Sequence, residues 1–177
     1  MRIISGSHKG RRIQAPKKLP VRPTTDMAKE GLFNILTNRF DFHSIRALDL
    51  FSGTGNISFE LASRGAQEVV AVDSTPSCVA FIARTAESFG FNISTKTSDV
   101  FRFLDREKRS FDFIFADPPY DFTISQLLAI ADAAIERNIL KSDGVLVIEH
   151  STHKDLSQHR RFKNKRSYGN SVFSFFE

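Results

Sequence analysis

The sequence predicts an α/β fold in which a seven-stranded, mostly parallel sheet is flanked by helices and ends in an antiparallel hairpin; three observations carry that expectation. Val-, Ile- and Phe-rich runs recur at residues 45–51, 68–73, 111–116 and 145–149. The segments between them place apolar residues at helical spacing, so strands and helices alternate as in a parallel sheet with crossover helices. After the last run the chain turns basic and reaches Tyr168-Gly169-Asn170 before an aromatic run at 171–176, and Gly-Asn between two extended segments signals a hairpin.

Each element has its own justification. Residues 2–5 and 11–15 bracket a Gly-bounded turn at 6–10, which suggests a small N-terminal β-hairpin. Thr25 or Asp26 can cap a helix whose apolar face is Ala28, Leu32, Ile35 and Leu36, with Gly31 inside it costing about 1 kcal/mol relative to Ala. Past the first strand, Ile57, Leu61 and Ala62 share a helical face; after the second, Pro76 suits a first helical turn and Val79, Ile82, Ala83 and Ala86 follow it. A weaker strand is expected at 93–97 and a helix at about 125–137. The expected organisation is a basic N-terminal extension over residues 1–40, a hairpin plus a helix, and a second unit over 41–177 that holds the chemistry.

A length of 177 residues, 41% of them hydrophobic and 18 of them Phe, suits a single core of ordinary size. No run of about 18 apolar residues exists and the N-terminus leads into glycines and bases, so a soluble, cytoplasmic protein is expected. The lone cysteine, Cys78, excludes an internal disulfide and a cysteine-based zinc cluster; among small and apolar neighbours it reads as a packed core residue. No metal-ligand spacing occurs, and no metal is expected. Nothing calls for a second copy, and a monomer is expected.

The net charge of +5 is unevenly distributed. Arg2, Lys9, Arg11, Arg12, Lys17, Lys18 and Arg22 precede the first acid, and Lys154, Arg160, Arg161, Lys163, Lys165 and Arg166 cluster near the end against the single acid Asp155. Basic ends around an acidic middle read as an electrostatic footprint for a phosphate backbone, the alternative being a merely solvated surface.

The stretch Asp49-Leu50-Phe51-Ser52-Gly53-Thr54-Gly55 closes the first strand and opens a helix, where backbone approaches a ligand and glycine is needed for want of a Cβ. Asp73, with Ser74 behind it, ends the second strand at the spacing where a carboxylate accepts from ribose hydroxyls. Two details favour S-adenosylmethionine over a nicotinamide dinucleotide. Ser58 replaces the third glycine of the dinucleotide fingerprint, and the additional acid Asp49 would repel a pyrophosphate yet attract a cationic aminopropyl group. Asp99, followed by Val100, lies past the third strand, where its carboxylate can accept from an adenine amino group or cap the next helix; both readings stand.

The sharpest motif is Asp117-Pro118-Pro119-Tyr120 after the strand at 111–116. Two prolines cannot continue a central strand and so stiffen a loop at the carboxyl end of the sheet. Methylating an exocyclic amine requires acceptors for its N–H bonds, so that the nitrogen lone pair is drawn out of the ring toward the methyl donor. Asp117 and the Pro118 carbonyl suit that task, Pro119 rigidifies the loop, and Tyr120 could stack on a base drawn out of its helix or loop. Such a displacement needs positioning and electrostatics rather than a metal.

Residues 2–6 with Lys9-Gly10-Arg11, then Arg22-Pro23-Thr24-Thr25-Asp26 and Glu30-Gly31-Leu32-Phe33-Asn34, followed by 49–55 and 117–120, resemble the RsmD family over nearly the whole chain. Its members are bacterial class I, Rossmann-like methyltransferases that act on guanine N2 in 16S ribosomal RNA of the assembled or assembling small subunit. The resemblance implies S-adenosylmethionine as cofactor, S-adenosylhomocysteine as product and small-subunit RNA as partner. It places Arg2, His8, Lys9, Arg11, Arg12, Arg22, Thr24, Thr25 and Lys29 toward the RNA, with the bases on phosphates; His8 in the Gly-rich turn could stack on a base or be an exposed loop histidine with no role, and both readings stand. Met27, Ala28 and Lys29 stand where the family often has a more basic triplet, and Gly31 where it has a better helix former. A chain this small has no room for a separate target-recognition domain, which favours a pre-shaped RNA over DNA read by sequence. Competing readings are methylation of adenine N6, methylation of a protein glutamine amide, and an RNA-binding protein that keeps the fold without the chemistry.

Overall fold

The computed structural model describes residues 1–16 and 25–177; Arg22 and Thr24, assigned above to RNA contact, lie outside the described residues. Five parallel strands form the centre of the sheet: β1 (Arg46–Leu50), β2 (Glu68–Asp73), β3 (Ile93–Thr97), β4 (Phe111–Ala116) and β5 (Leu140–Ser151). They are followed by the antiparallel β6 (Phe162–Tyr168) and β7 (Ser171–Phe176). Helices α1 (Asp26–Thr37), α2 (Asn56–Ser63), α3 (Pro76–Phe89), α4 (Val100–Arg106) and α5 (Ile124–Glu136) connect or precede them. The sheet order is β3-β2-β1-β4-β5-β7-β6, the seven-stranded arrangement expected, and its direction of winding reverses between β1 and β4. In such sheets a ligand crevice opens at the carboxyl ends of the two strands flanking that reversal.

Strand alternation assigns each residue to a face. Leu48, Leu50, Ile114, Ala116, Leu146 and Ile148 pack with Leu104, Leu127, Ile130 and Ala134 on the side of α4 and α5. Ala47, Phe113, Phe115, Val145 and Val147 pack on the other side with Leu32, Phe33 and Leu36 of α1 and Ile57 and Leu61 of α2. The strands are apolar on both faces because helices cover both. Cys78 is fully buried, as its neighbours in the sequence lead one to expect.

Strand β5 is much longer than the apolar run 145–149, extending back to Leu140 through Lys141 and Asp143. Polar residues are tolerated there because Lys141 Nζ donates to Asp112 at 2.7 Å and a register shift between Phe111 and Phe113 absorbs the irregularity. The N-terminal hairpin is slighter than expected. A single antiparallel bridge joins Arg2 and Arg12, supported by Ile3 N donating to Arg11 O and Gly10 N to Ile3 O, each at 2.9 Å.

Helix α2 holds that hairpin against the sheet. Glu60, fully buried, accepts from the backbone N–H of Ile4 at 2.7 Å and of Ser5 at 3.0 Å, and from Arg64 Nε at 2.8 Å. Ile3 and Ile13 bury themselves against Phe59 and Ile82. Gly6 has φ +86° and a Cβ there would lie 1.8 Å from the Ser63 carbonyl oxygen, so only glycine lets the turn approach α2 so closely.

Thr25 is the N-cap of α1, its hydroxyl accepting from Ala28 N at 3.2 Å. Gly31, a weak helix former, is explained by packing across the molecule: a Cβ there would sit 2.4 Å from the ring of Tyr168. The C-terminal hairpin therefore docks its aromatic turn onto α1 through the space a side chain would occupy.

Candidate active site

The loop after β1 is built by hydrogen bonds from its own strand ends. Phe51 adopts φ +59°, rare for a bulky residue, and the chain reverses through Gly53 (φ +51°) and Gly55 (φ +79°) into α2. Ser52 N donates to Val72 O at 3.0 Å and Gly55 N to Ser52 O at 2.7 Å. One Asp73 oxygen accepts from Gly53 N and the other from Thr75 N, each at 2.8 Å, so this carboxylate holds the loops after β1 and β2 in one arrangement. The Ser52 hydroxyl is buried and has no hydrogen-bond partner among the described residues. Thr54 is buried in the same loop, whereas Ser74 is exposed.

Asp49 lies beneath this loop. Its Oδ2 accepts from Ser58 N at 3.0 Å and Ser58 Oγ at 2.5 Å, so the serine that replaces a third glycine serves as the hydrogen-bond partner of the added acid. Burial pushes the Asp49 carboxyl up to about 7 against the pull of those bonds. Asp99 caps α4, its carboxylate accepting from Arg102 N at 3.0 Å; the helix-cap reading is the one its geometry shows, while the side chain stays exposed. Val100 behind it is buried.

The second wall of the crevice follows β4. Leu50 pairs with Ala116, and Asp117 N donates to Leu50 O at 3.3 Å, which sets the Asp117 loop beside the Asp49 loop across the sheet reversal. Pro118 is buried and Pro119 exposed, and the turn closes through Phe122 N donating to Pro119 O at 3.0 Å. Phe122 stacks edge-on against Phe51 with ring centroids 5.5 Å apart, tying the two walls together. Tyr120 is 51% exposed at the rim. Its carbonyl accepts from Lys154 Nζ at 2.5 Å, which gives one base of the C-terminal cluster a place in the site's frame.

Burial first, and then the negative charges of Glu149 and Asp49, hold the Asp117 carboxyl well above the usual carboxylate range. Glu149, buried at the end of β5, was not among the residues the sequence singled out. The available signal was the pattern itself: an acid at or near the carboxyl end of an apolar strand, as with Asp49, Asp73 and Asp117.

The residues expected to face RNA divide into groups. Arg2, Lys9, Arg11, Arg12 and Thr25 are exposed, and no ion pair engages Lys9, Arg11 or Arg12 among the described residues. Lys29 does not belong with them. It is 1% exposed, donates to Arg2 O at 2.6 Å and Asn56 Oδ1 at 2.9 Å, and lies 3.6 Å from Glu60, so its ammonium ties α1, the hairpin and the start of α2 together in the interior. His8 is partly buried: its ring stacks on Phe89 at 5.2 Å and meets Phe91 edge-on at 4.6 Å, so one ring face is already covered within the fold. Half of the C-terminal cluster is paired with acids, Arg160 with Glu136, Lys163 with Glu177 and Lys165 with Asp155. Among the described residues, the N-terminal hairpin carries an exposed group of bases without an acid partner, Lys9, Arg11 and Arg12, with Arg11 lying over the Phe89 ring at 5.5 Å.

The family described as Conserved hypothetical protein 95 matches residues 1–177. YlbH of Bacillus subtilis (strain 168), named as an rRNA methyltransferase, is 34% identical over 167 residues, 89% of this chain and 86% of that protein. Ribosomal RNA small subunit methyltransferase D of Buchnera aphidicola subsp. Baizongia pistaciae is 30% identical over 151 residues, 84% of this chain and 75% of its own. The structure of a hypothetical protein of Thermus thermophilus superposes with a TM-score of 0.85 at 25% identity, covering 100% of this chain and 99% of that one. The chain whose two loops meet at the sheet reversal thus belongs to the Conserved hypothetical protein 95 family, that of the RsmD-type rRNA methyltransferases.

Proposed function

We propose that the protein methylates the exocyclic N2 amino group of a guanine in 16S rRNA of the small ribosomal subunit, in the cytoplasm, with S-adenosylmethionine as donor. The observation that carries the reading is the meeting of the two loops: Asp117 N on Leu50 O brings the amine-accepting motif beside the glycine loop and its buried acid. The crevice suits the cofactor. Asp49 would face a cation and Asp73 a ribose; the exposed Asp99 carboxylate, one of whose oxygens caps α4, would with Val100 face an adenine through the other, and the buried Ser52 hydroxyl, without a partner among the described residues, suits a ligand rich in hydrogen-bonding groups. When bound, S-adenosylmethionine supplies a methyl carbon that bonds to the amino nitrogen while the C–S bond breaks toward sulfur, leaving a thioether and a proton to be lost from nitrogen.

The chain's own residues do the rest. Asp117 and the Pro118 carbonyl accept the two N–H bonds, which localises the lone pair on nitrogen and leaves Asp117 placed to take the released proton. Exposed Tyr120 stacks on the base and holds it in line. Residues 1–40 act as the RNA-contacting extension, with Lys9, Arg11 and Arg12 on phosphates and the interior Lys29–Glu60 pair keeping the hairpin in register with the cofactor loop.

The test is transfer of labelled methyl to small subunits from a strain lacking this enzyme, run beside protein-free 16S RNA, DNA and release-factor protein. Label in the subunits recovered as N2-methylguanosine after digestion is the expected result. Label recovered as N6-methyladenosine, or only in protein or DNA, overturns the substrate.

A further inference from the structure

The strand registers put a second carboxylate beside Asp117. Val145 and Val147 of β5 share a face with Phe113 and Phe115 of β4, and two residues further along each strand come Glu149 and Asp117. Ala116 pairs with Ile148, so Asp117 and Glu149 are the next neighbours across adjacent strands, on the same side of the sheet and at its carboxyl edge. Asp49, on the same face of β1, lies one step lower, opposite Phe115. Glu149 is 5% exposed, and its charge is among the causes that lift the Asp117 carboxyl, so the two groups interact.

We propose that Glu149 accepts the ring N1–H of the target guanine while Asp117 holds its N2 amine, the two carboxylates together reading the base by its donor edge. The inference rests on the guanine-N2 reading above. On guanine, N1–H and the N2 amine are adjacent donors. On adenine and on 2-aminopurine, N1 carries a lone pair instead. A carboxylate oxygen can accept from the N1–H of guanine, whereas a lone pair at N1 would face Glu149 without a proton to share. A site built to pair with a substrate N–H rejects the analogue lacking it far more strongly than a site that excludes by shape. Adjacent strands lie about 4.8 Å apart, a spacing that lets two side chains reach neighbouring atoms of one base edge. Tyr120 and the proline loop hold the ring but cannot tell one purine from another; Glu149 supplies the distinction.

The experiment compares the wild-type protein with Glu149→Gln on small subunits reconstituted with 16S RNA carrying either guanine or 2-aminopurine at the target position. 2-Aminopurine keeps the amine to be methylated and loses the N1 proton; glutamine keeps the shape and adds an amide donor. Wild type is expected to prefer guanine in kcat/KM, and E149Q to narrow that preference at least about tenfold. Glu149→Asp, which keeps the charge on a shorter arm, is expected to lose turnover yet retain the preference. Binding of S-adenosylhomocysteine to each variant verifies the fold. Equal loss on both substrates in E149Q, or a preference that E149D loses as fully, overturns the role of Glu149 while leaving the methylation reading intact. Absence of N2-methylguanosine from the wild-type reaction overturns the guanine reading and this one with it.

Discussion

Replacing Asp49 by asparagine should make the ligand-free protein more stable in alkaline solution and weaken its capture of the cofactor. The carboxyl is 2% exposed and titrates at about 7, against about 3.9 for the unfolded chain. Because the folded value is raised, the fold favours the protonated acid: this contribution to stability is complete below about pH 4 and is lost as pH rises through 7. At about 1.36 kcal/mol per unit, a displacement of roughly three units costs the wild type about 4 kcal/mol by pH 8, of which about 3 kcal/mol falls between pH 5 and pH 8. The asparagine amide oxygen would still accept from Ser58 N and Oγ, and the side chain carries no charge at any pH. Urea unfolding of both proteins at pH 5 and pH 8, without ligand, should show the stability difference shifting by about 3 kcal/mol toward the variant. Asp117 is present in both chains; because the Asp49 charge helps to raise it, removing that charge eases Asp117 as well and adds to the shift in the same direction. The same variant should bind S-adenosylhomocysteine at least about a hundredfold more weakly, since a neutral amide replaces the carboxylate that faces the ammonium. A stability difference independent of pH would refute the reasoning, since it would mean that Asp49 is ionised in the fold at no cost.

The same titration predicts that wild-type affinity for S-adenosylhomocysteine falls about tenfold from pH 8 to pH 6 by calorimetry, since the ammonium binds the ionised acid; a flat profile would place the ammonium elsewhere. Asp117→Ala should lower turnover at least about a hundredfold with S-adenosylhomocysteine affinity nearly unchanged, and near wild-type turnover would remove Asp117 from the mechanism. Neutralising Arg11 and Arg12 together should weaken RNA binding and shallow the slope of log affinity against log salt by about one to two; an unchanged slope would move the RNA face away from the hairpin. Gly31→Ala should destabilise the protein by about 1–2 kcal/mol, since crowding against the Tyr168 ring outweighs the helix-propensity gain of about 1 kcal/mol, and chemical denaturation showing a gain would contradict that packing.

The alternation of strands and helices, the Gly-Asn hairpin and the two loops of the candidate site were readable along the chain because each is a local pattern: periodicity, turn chemistry and a short motif. The same holds for the cap at Thr25 and the buried place of Cys78. Element ends were less readable. Strand β5 gains Leu140–Gly144 only because β4 runs beside it and Asp112 neutralises Lys141, neither of which is local to the segment.

Charge showed the same division. Counting bases located two clusters, yet their value depends on which acids the fold brings near: Glu136, Asp155 and Glu177 pair with half of the C-terminal one, while Lys9, Arg11 and Arg12 stay exposed. Lys29 reads as a surface base in a basic region, and packing instead makes it an interior tie to Glu60, 31 positions away in sequence. Gly31 looks like a defect in its helix until Tyr168, from the other end of the chain, fills the space above it. Glu149 lies near the end of its strand without any motif to mark it, and it is the register of β4 and β5 that sets it beside Asp117. Local order along the chain is enough to name the fold and the reaction class. Which charges are buried, which are shared and which carboxylates stand together depends on contacts between distant segments, and those exist only once the sheet has assembled.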